Sequence, residues 1–143
     1  MTPRTKTIRT KRGQAMVEAA LTLIIFLTPI IGLIEFSRGV WTYNLVAHLS
    51  REGTRYAIVR GKSNTTPATV ADIKNAVQAK AIGLTASKLT TTVNWYKPDG
   101  TTGDNTPGND VKVNVSYAFS FMTPFVSRSN YTLKSTSRVI VLH

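Results

Sequence analysis

The residue types that carry out most enzyme chemistry are scarce in this sequence. Its 143 residues include no cysteine, two histidines (His48 and His143) and 7 acidic residues. It contains no Gly-rich phosphate loop, no His-x-x-Glu-His site and no nucleophile elbow. The lack of cysteine excludes disulfides, zinc–cysteine sites and thiol chemistry. We therefore expect no enzyme activity, no catalytic residue and no cofactor.

One loop carries oxygen donors of the kind that bind Ca²⁺. An EF-hand would need the pattern Asp-x-Asp-x-Asp-Gly with Glu at its twelfth position, and this loop does not follow it. Asp, Asn, Gly and Pro are also the commonest turn-forming residues. We therefore favour a turn-rich loop over a metal site. The donors are Asp99, Asp104, Asn105, Asn109 and Asp110.

The most informative string is Lys11-Arg12-Gly13-Gln14-Ala15-Met16-Val17-Glu18. Five of the 18 basic residues precede Gly13, with no acid among them: Arg4, Lys6, Arg9, Lys11 and Arg12. An apolar run then extends from residue 15 to residue 34. At about 1.5 Å per residue this run forms a helix roughly 30 Å long, which matches the hydrocarbon core of a bilayer.

We predict that this helix is retained as a single membrane span. No Ala-x-Ala cleavage site follows Ile34, as a secretory signal would require. The basic tail should stay in the cytoplasm, which places the rest of the chain outside. The predicted organisation is a basic leader at 1–13, a transmembrane helix at 14–38 and an extracytoplasmic domain at 39–143.

Glu18 is a charge within this apolar run. An unpaired carboxylate at mid-bilayer costs more than about 2.5 kcal/mol, so Glu18 needs a partner. One interpretation is that it lies near the cytoplasmic interface and pairs with Arg12 or a lipid headgroup. The other follows from a family resemblance.

The junction resembles a prepilin cleavage site, with a basic leader, a Gly before the cut and Glu as the fifth residue after it. Two further strings, Gly32-Leu33-Ile34-Glu35-Phe36-Ser37-Arg38 and Ser50-Arg51-Glu52-Gly53-Thr54-Arg55-Tyr56-Ala57, resemble the signatures of TadE-like proteins. The resemblance covers about residues 13–59. It departs from the family mainly at Thr54, where Ala is common.

The resemblance implies a minor pilin or pseudopilin of the tight-adherence (Tad/Flp) pilus, resident in the cytoplasmic (inner) membrane. A prepilin peptidase would cut between Gly13 and Gln14. Glu18 would then pair with the new N-terminal amine of a neighbouring subunit. The implied partners are that peptidase, other pilus subunits, the inner-membrane assembly platform and membrane lipid.

A second group of charges follows the apolar run. Glu35 and Arg38 are three residues apart and can pair across one helical turn, as can Glu52 and Arg55. Arg51 and Arg55 lie one turn apart. Two interpretations of this block are equally consistent with its pattern: contacts with neighbouring subunits during assembly, or a solvated, salt-bridged helix face. Gly53 weakens a helix by about 1 kcal/mol unless close packing requires it.

Periodicity predicts the remaining elements. An apolar stripe at helical spacing continues the first helix, and Thr66-Pro67 predicts the start of a second helix of about four turns. Alternation of apolar and polar residues then predicts three strands, at 89–96, 111–121 and 132–142. The predicted fold is α+β and pilin-like: a long helix and a short helix packed on a three-stranded antiparallel sheet. The apolar stripe of the first helix comprises Trp41, Leu45, Leu49, Tyr56 and Val59.

The formal net charge of +11 raises the question of nucleic-acid binding. Beyond Gly13 the excess falls to +6, with 13 basic and 7 acidic residues. Lys112, Lys134 and Arg138 on outward strand faces can form a basic patch, but those two strand faces carry no aromatic side chain for base stacking. We therefore do not favour a nucleic-acid partner. The alternative function is a permanently membrane-anchored adhesin or DNA-binding module.

Overall fold

The computed structural model describes residues 10–123 and 131–142, with side chains from Gly13 onward. The predicted leader residues 1–9 and the side chains of Lys11 and Arg12 lie outside this description. Two compact units divide the chain at residues 37 and 38. The elements are α1 (Thr10–Val59), α2 (Val70–Lys80), a 3₁₀ turn (Ala86–Lys88), β1 (Leu89–Tyr96), β2 (Asp110–Phe119) and β3 (Tyr131–Ile140).

The described part of the first unit is helical and carries its apolar side chains on the outside. Within Gly13–Val59, an 18-residue window reaches a mean hydropathy of 2.3, and 0% of that window is buried. Ile25 is 73% exposed and Phe26 is 65% exposed. A helix of this length and composition is able to cross a membrane, and its apolar surface does not form a soluble core.

The second unit contains the sheet, and its strand order β1-β2-β3 is fully antiparallel. The predicted alternation is confirmed in β2, where every second residue from Val111 to Phe119 is buried. Val113 pairs with Val93 of β1 and with Ser137 of β3. The predicted fold class, with two helices and a three-stranded antiparallel sheet, is therefore confirmed.

The predicted apolar stripe of α1 is only partly right. Leu49 is fully buried, but Trp41 and Val59 are 52% and 54% exposed. Hydroxyl residues occupy much of the buried line, because short polar side chains can bond to the helix backbone or across to the sheet. The buried residues of this line are Thr42, Val46, Leu49, Ser50, Thr54 and Ala57.

The predicted start of the second helix at Thr66-Pro67 is wrong, since α2 begins at Val70. Thr69 is its N-cap: Asp72 N donates to Thr69 Oγ1 at 3.2 Å, and Thr69 N donates to Asp72 Oδ2 at 3.0 Å. This reciprocal capping box satisfies two backbone donors, which the Thr-Pro pair upstream does not offer. α2 has 11 residues, about three turns rather than four.

Candidate functional site

The predicted processing residues lie at the start of α1. Gly13, Gln14 and Glu18 are all exposed. A Cβ built on Gly13 would have no atom within 4 Å outside its own helix backbone. Surface access is therefore available to another molecule at this position. Cleavage after Gly13 stays a prediction.

Hydroxyl groups within the apolar helix have their hydrogen bonds inside the helix. Thr22 Oγ1 donates to the Glu18 carbonyl at 2.9 Å, and Thr28 Oγ1 donates to the Ile24 carbonyl at 2.7 Å. Such internal bonding removes the cost of placing these hydroxyls in hydrocarbon. The Glu18 carboxylate carries a full negative charge, and a neutral hydroxyl group cannot neutralise it.

Arg38 connects α1 to the end of the sheet. Its Nη2 donates to the Ser120 carbonyl at 2.6 Å, and its guanidinium lies 4.7 Å from the centre of the Phe119 ring. Glu35 is only 7% exposed. The predicted ion pair of Glu35 with Arg38, and their predicted roles in assembly, stay predictions.

Glu52 is the centre of a charge cluster that joins the two helices. Arg55 donates to it through Nη2 and Nε, at 2.7 and 3.0 Å, as the spacing predicts. Lys80 of α2 forms an ion pair with the same carboxylate. Hydrogen bonds from Arg55 and then Lys80 lower the pKa of Glu52 from 4.5 to about 2. Glu52 and Arg55 therefore have intrachain partners, whereas Arg51 is exposed.

Gly53 lies where α1, α2 and β2 meet. A Cβ at this position would be 2.9 Å from Val77 Cγ2 and 3.0 Å from Val113 Cγ1. Close packing is therefore the reason that this helix contains a glycine here. Two hydroxyl pairs attach α1 to β3 next to this glycine: Ser50, one turn before it, with Ser135, and Thr54, the residue after it, with Ser137, each at 3.0 Å.

Sequence reasoning missed Lys80, Ser135 and Ser137 as partners of the 50–57 block. Each lies 28 residues or more from its partner on α1. No local spacing signals such a pairing. The alternation of Ser135 and Ser137 along β3 does predict that they share one face of the sheet.

Two carboxylates of the 99–110 loop, those of Asp99 and Asp104, are used in turns. Asp99 Oδ1 accepts from Thr101 N at 2.8 Å, and Asp104 Oδ1 accepts from Thr106 Oγ1 at 2.5 Å. Asp104 also pairs with Lys62. Hydrogen bonds from the threonines lower the pKa of both aspartates. Within residues 10–123 and 131–142, no group of three or more His, Cys, Asp or Glu side chains is placed to hold a metal ion.

The predicted basic patch is partly neutralised. Lys112 and Arg138 are directly opposite each other in the β2–β3 ladder, but Arg138 forms an ion pair with Asp110. The guanidinium of Arg138 also lies 5.7 Å from the Tyr96 ring. Tyr96 of β1 thus adds an aromatic ring next to the patch, and that ring is already covered by Arg138.

These features define a class of protein in which a helix able to span a membrane is joined to an α+β unit. An apolar, exposed helix able to span a membrane continues in sequence into an α+β unit, and the described residues show no metal cluster.

Residues 13–55 match the family model described as TadE-like protein, which confirms the resemblance drawn from the sequence. The match includes the junction at Gly13, the apolar run and the charged residues Glu52 and Arg55. It stops before α2 and the sheet. No curated protein and no solved structure gives a significant match.

Proposed function

We propose that this protein is a minor pilin or pseudopilin subunit of a Tad/Flp-type pilus. The observation that carries the proposal is that one segment combines two properties. Residues 13–55 match the TadE-like family model, and the same segment contains the exposed apolar helix. Such a helix serves a pilus subunit in two ways. It holds the subunit in the membrane before assembly, and it packs against other subunits afterwards.

The proposed location is the cytoplasmic (inner) membrane, with the N-terminus in the cytoplasm and the 39–143 domain outside. The basic leader supports this orientation, because positive residues are retained on the cytoplasmic side. Each of the five leader cations contributes about 1 kcal/mol of attraction to anionic lipids. Removing the leader therefore makes extraction of the helix into a pilus easier.

Prepilin peptidase is the proposed processing partner, acting between Gly13 and Gln14. Proteases bind their substrates in extended form, whereas both residues lie in the first turns of α1. The first turn of a helix frays readily, because its backbone N–H groups lack partners within the helix. Glycine lowers helix stability further, by about 1 kcal/mol relative to alanine. This position therefore supports local opening for cleavage.

Glu18 is the proposed assembly contact within the helix. Cleavage creates an α-amine that is largely protonated near neutral pH, since its ordinary pKa is about 7.7 to 8.0. The exposed Glu18 carboxylate of one subunit then pairs with the amine of its neighbour. In a low-dielectric environment each charge is costly alone, so the pair favours association.

The other proposed assembly residues are Glu35, Arg38, Arg51, Glu52 and Arg55. Among them, Arg51 has the strongest structural support, because its side chain is exposed on α1. Arg55 is also exposed, although it bonds to Glu52. Arg38 and Glu52 are instead held by contacts within the chain. We propose that these two act indirectly, by fixing the surface that neighbouring subunits contact.

The test is to determine the N-terminal residue of the native protein. Cells with an active prepilin peptidase should yield a membrane-extracted chain that begins at Gln14, and this chain should co-purify with other pilus subunits. A matched strain without the peptidase should yield the chain with residues 1–13 attached. If the leader is retained in both strains, the maturation step is refuted and a permanently anchored protein is the better description.

A further inference from the structure

The 38–143 unit carries a large excess of positive charge. It has a formal net charge of +8, from 13 basic and 5 acidic residues. All five acidic side chains accept hydrogen bonds within the unit. Cations therefore outnumber the acids that could neutralise them. The acids are Glu52, Asp72, Asp99, Asp104 and Asp110.

One face of the sheet points away from both helices. The helices pack on the other face, where Gly53 lies against Val113 and Ser50 bonds to Ser135. Successive residues of a strand point to opposite sides of a sheet. The side chains that point away from the helices are therefore the even-numbered residues of β1, β2 and β3. We call this surface the outward face.

Positive charge extends along the outward face. Its one carboxylate, that of Asp110, is paired with Arg138. Lys112 and Lys134 have no ion-pair partner within residues 13–123 and 131–142. Lys134 lies opposite Ser116, four residues or about 14 Å along β2 from Lys112. The outward face thus presents separated cations rather than one cluster.

A further cation lies at the end of this face. Lys88 is exposed and comes just before β1. Its Nζ donates to the hydroxyl of Ser120, just after β2, at 3.0 Å. The row of cations therefore continues past the last residues of the β1–β2 ladder.

Hydroxyl and amide groups fill the space between the cations. Seven of the 14 side chains of the outward face belong to Thr, Ser or Asn. Asn114 is central, with Thr92 and Thr136 directly opposite on the two neighbouring strands. Its Oδ1 is buried and has no hydrogen-bond partner in the described part of the chain. Because such an acceptor is costly, a ligand hydroxyl that donates to it, after a small shift of the side chains that cover it, should be favoured.

The composition of the outward face argues against several occupants. Single-stranded nucleic acid needs aromatic rings for stacking, but the one ring here, Tyr96, has Arg138 over it at 5.7 Å. Protein partners and lipid need exposed apolar anchors, and the one large aliphatic side chain, Ile140, lies at an end of the β2–β3 ladder. Carboxylates that alternate with hydroxyl groups fit this surface best, because lysines bind the former and Thr and Asn side chains bond to the latter.

We propose that the outward face binds an acidic polysaccharide. Its carboxylates bind Lys112 and Lys134, and its hydroxyl groups bond to Thr92, Asn114 and Thr136. This binding activity goes beyond the proposed pilus function and does not depend on cleavage or assembly. It gives the protein a means of attachment to acidic carbohydrate.

The experiment uses the full chain in a neutral detergent. The probe is oligogalacturonate with a fluorophore at its reducing end, and binding is measured by fluorescence anisotropy. We expect binding that weakens as salt is added. Oligoglutamate with the same number of carboxylates should bind several-fold more weakly, because it has no hydroxyl groups. A neutral malto-oligosaccharide of the same length should not compete.

Paired variants separate the face from the net charge. Lys112→Gln with Lys134→Gln should weaken oligogalacturonate binding about tenfold, as expected for the loss of two exposed charge contacts. Arg60→Gln with Lys74→Gln removes the same charge from exposed positions outside the outward face and should leave binding nearly unchanged.

A third pair tests the hydrogen bonds. Thr92→Val with Thr136→Val keeps the charge, the side-chain shape and a good strand former at both positions. This pair should weaken oligogalacturonate binding several-fold and leave oligoglutamate binding unchanged. Near-UV circular dichroism confirms that each variant is folded before its binding is compared.

Each other outcome overturns the proposal. Equal losses in the Lys112/Lys134 and Arg60/Lys74 pairs would show attraction to net charge without a site. Equal binding of oligoglutamate, or no effect of the threonine pair, would show that sugar hydroxyls are not recognised. A single-stranded oligonucleotide that binds more tightly than oligogalacturonate would make nucleic acid the occupant instead. None of these results changes the outcome of the N-terminal analysis, so the proposed function is tested separately.

Discussion

A Cβ atom on Gly53 would lie 2.9 Å from Cγ2 of Val77, closer than side chains pack in folded proteins. A glycine that looks unfavourable for a helix is therefore the residue that allows α1 and α2 to approach. The TadE-like match includes this position and ends two residues later. The matched segment thus contains part of the core of the 38–143 unit as well as the apolar helix.

Gly53→Ala should destabilise the 38–143 unit. Overpacking against two stiff valines costs about 1 to 3 kcal/mol, which exceeds the gain of up to about 1 kcal/mol in helix propensity. Thermal unfolding in detergent should show a lower Tm. Gly39→Ala is the control, because a Cβ there has only an ordinary contact of 3.8 Å with Phe119. Equal or higher stability of Gly53→Ala would contradict the packing.

Glu52→Gln should remove a pH-dependent part of the stability. Hydrogen bonds from Arg55 and Lys80 lower the pKa of Glu52 from 4.5 to about 2. A carboxyl group with a lowered pKa stabilises the folded state above its unfolded pKa, and this stabilisation is lost as the pH falls from about 4.5 toward 2. Exposed cations limit the effect to about 1 kcal/mol.

The measurement is the free energy of unfolding as a function of pH. Between pH 5 and pH 2.5, wild type should lose about 1 kcal/mol more of its free energy of unfolding than Glu52→Gln does. Lys80→Gln should resemble Glu52→Gln in part, whereas Lys74→Gln, on the exposed side of α2, should behave as wild type. Parallel curves for wild type and Glu52→Gln would show that the cluster contributes nothing.

Val115→Asp should unfold the 38–143 unit. Val115 is completely buried in β2, and an unpaired buried carboxylate costs several kcal/mol, a large part of the stability of a small domain. Lys112→Asp, three residues earlier on the other face of the strand, should have little effect. Near-UV circular dichroism of both variants distinguishes these results, and similar loss of signal in both would refute the assigned faces.

Gly13→Leu should block maturation. A leucine at this position fills the space that the peptidase needs around the scissile backbone, so the precursor should keep residues 1–13 and appear at the higher intact mass. Gly32→Leu is the matched control, because Gly32 also has no atom within 4 Å of an added Cβ but lies far from the junction. Normal processing of Gly13→Leu would place the cleavage site elsewhere.

Glu18→Ala should insert into the membrane but fail to assemble. The variant loses the partner of the new N-terminal amine, and it leaves no hydrogen bond unmade inside the helix, because Thr22 bonds to the backbone carbonyl of residue 18. Co-purification with other pilus subunits should be lost, while Thr22→Ala should retain it. Retention of assembly by Glu18→Ala would exclude the proposed charge pair.

The elements that the sequence predicted correctly depend on local order. The apolar run at 15–34 and the alternation from Val111 to Phe119 can be read directly, because a helix and a strand each repeat over a few residues. The hydrogen bond of Arg55 to Glu52 is local in the same way. The prediction that the second helix starts at Thr66-Pro67 was wrong because two local signals competed, and the capping box at Thr69 was the stronger one.

The contacts that only the tertiary structure decided join residues that are distant in sequence. The ion pair of Glu52 with Lys80, the hydroxyl pair of Ser50 with Ser135, and the meeting of Arg38 and Lys88 at Ser120 all belong to this group. Each depends on the angle and distance at which α1 packs on α2 and the sheet. That packing is set by the whole buried surface, so the spacing of residues along one element does not reveal which side chains meet.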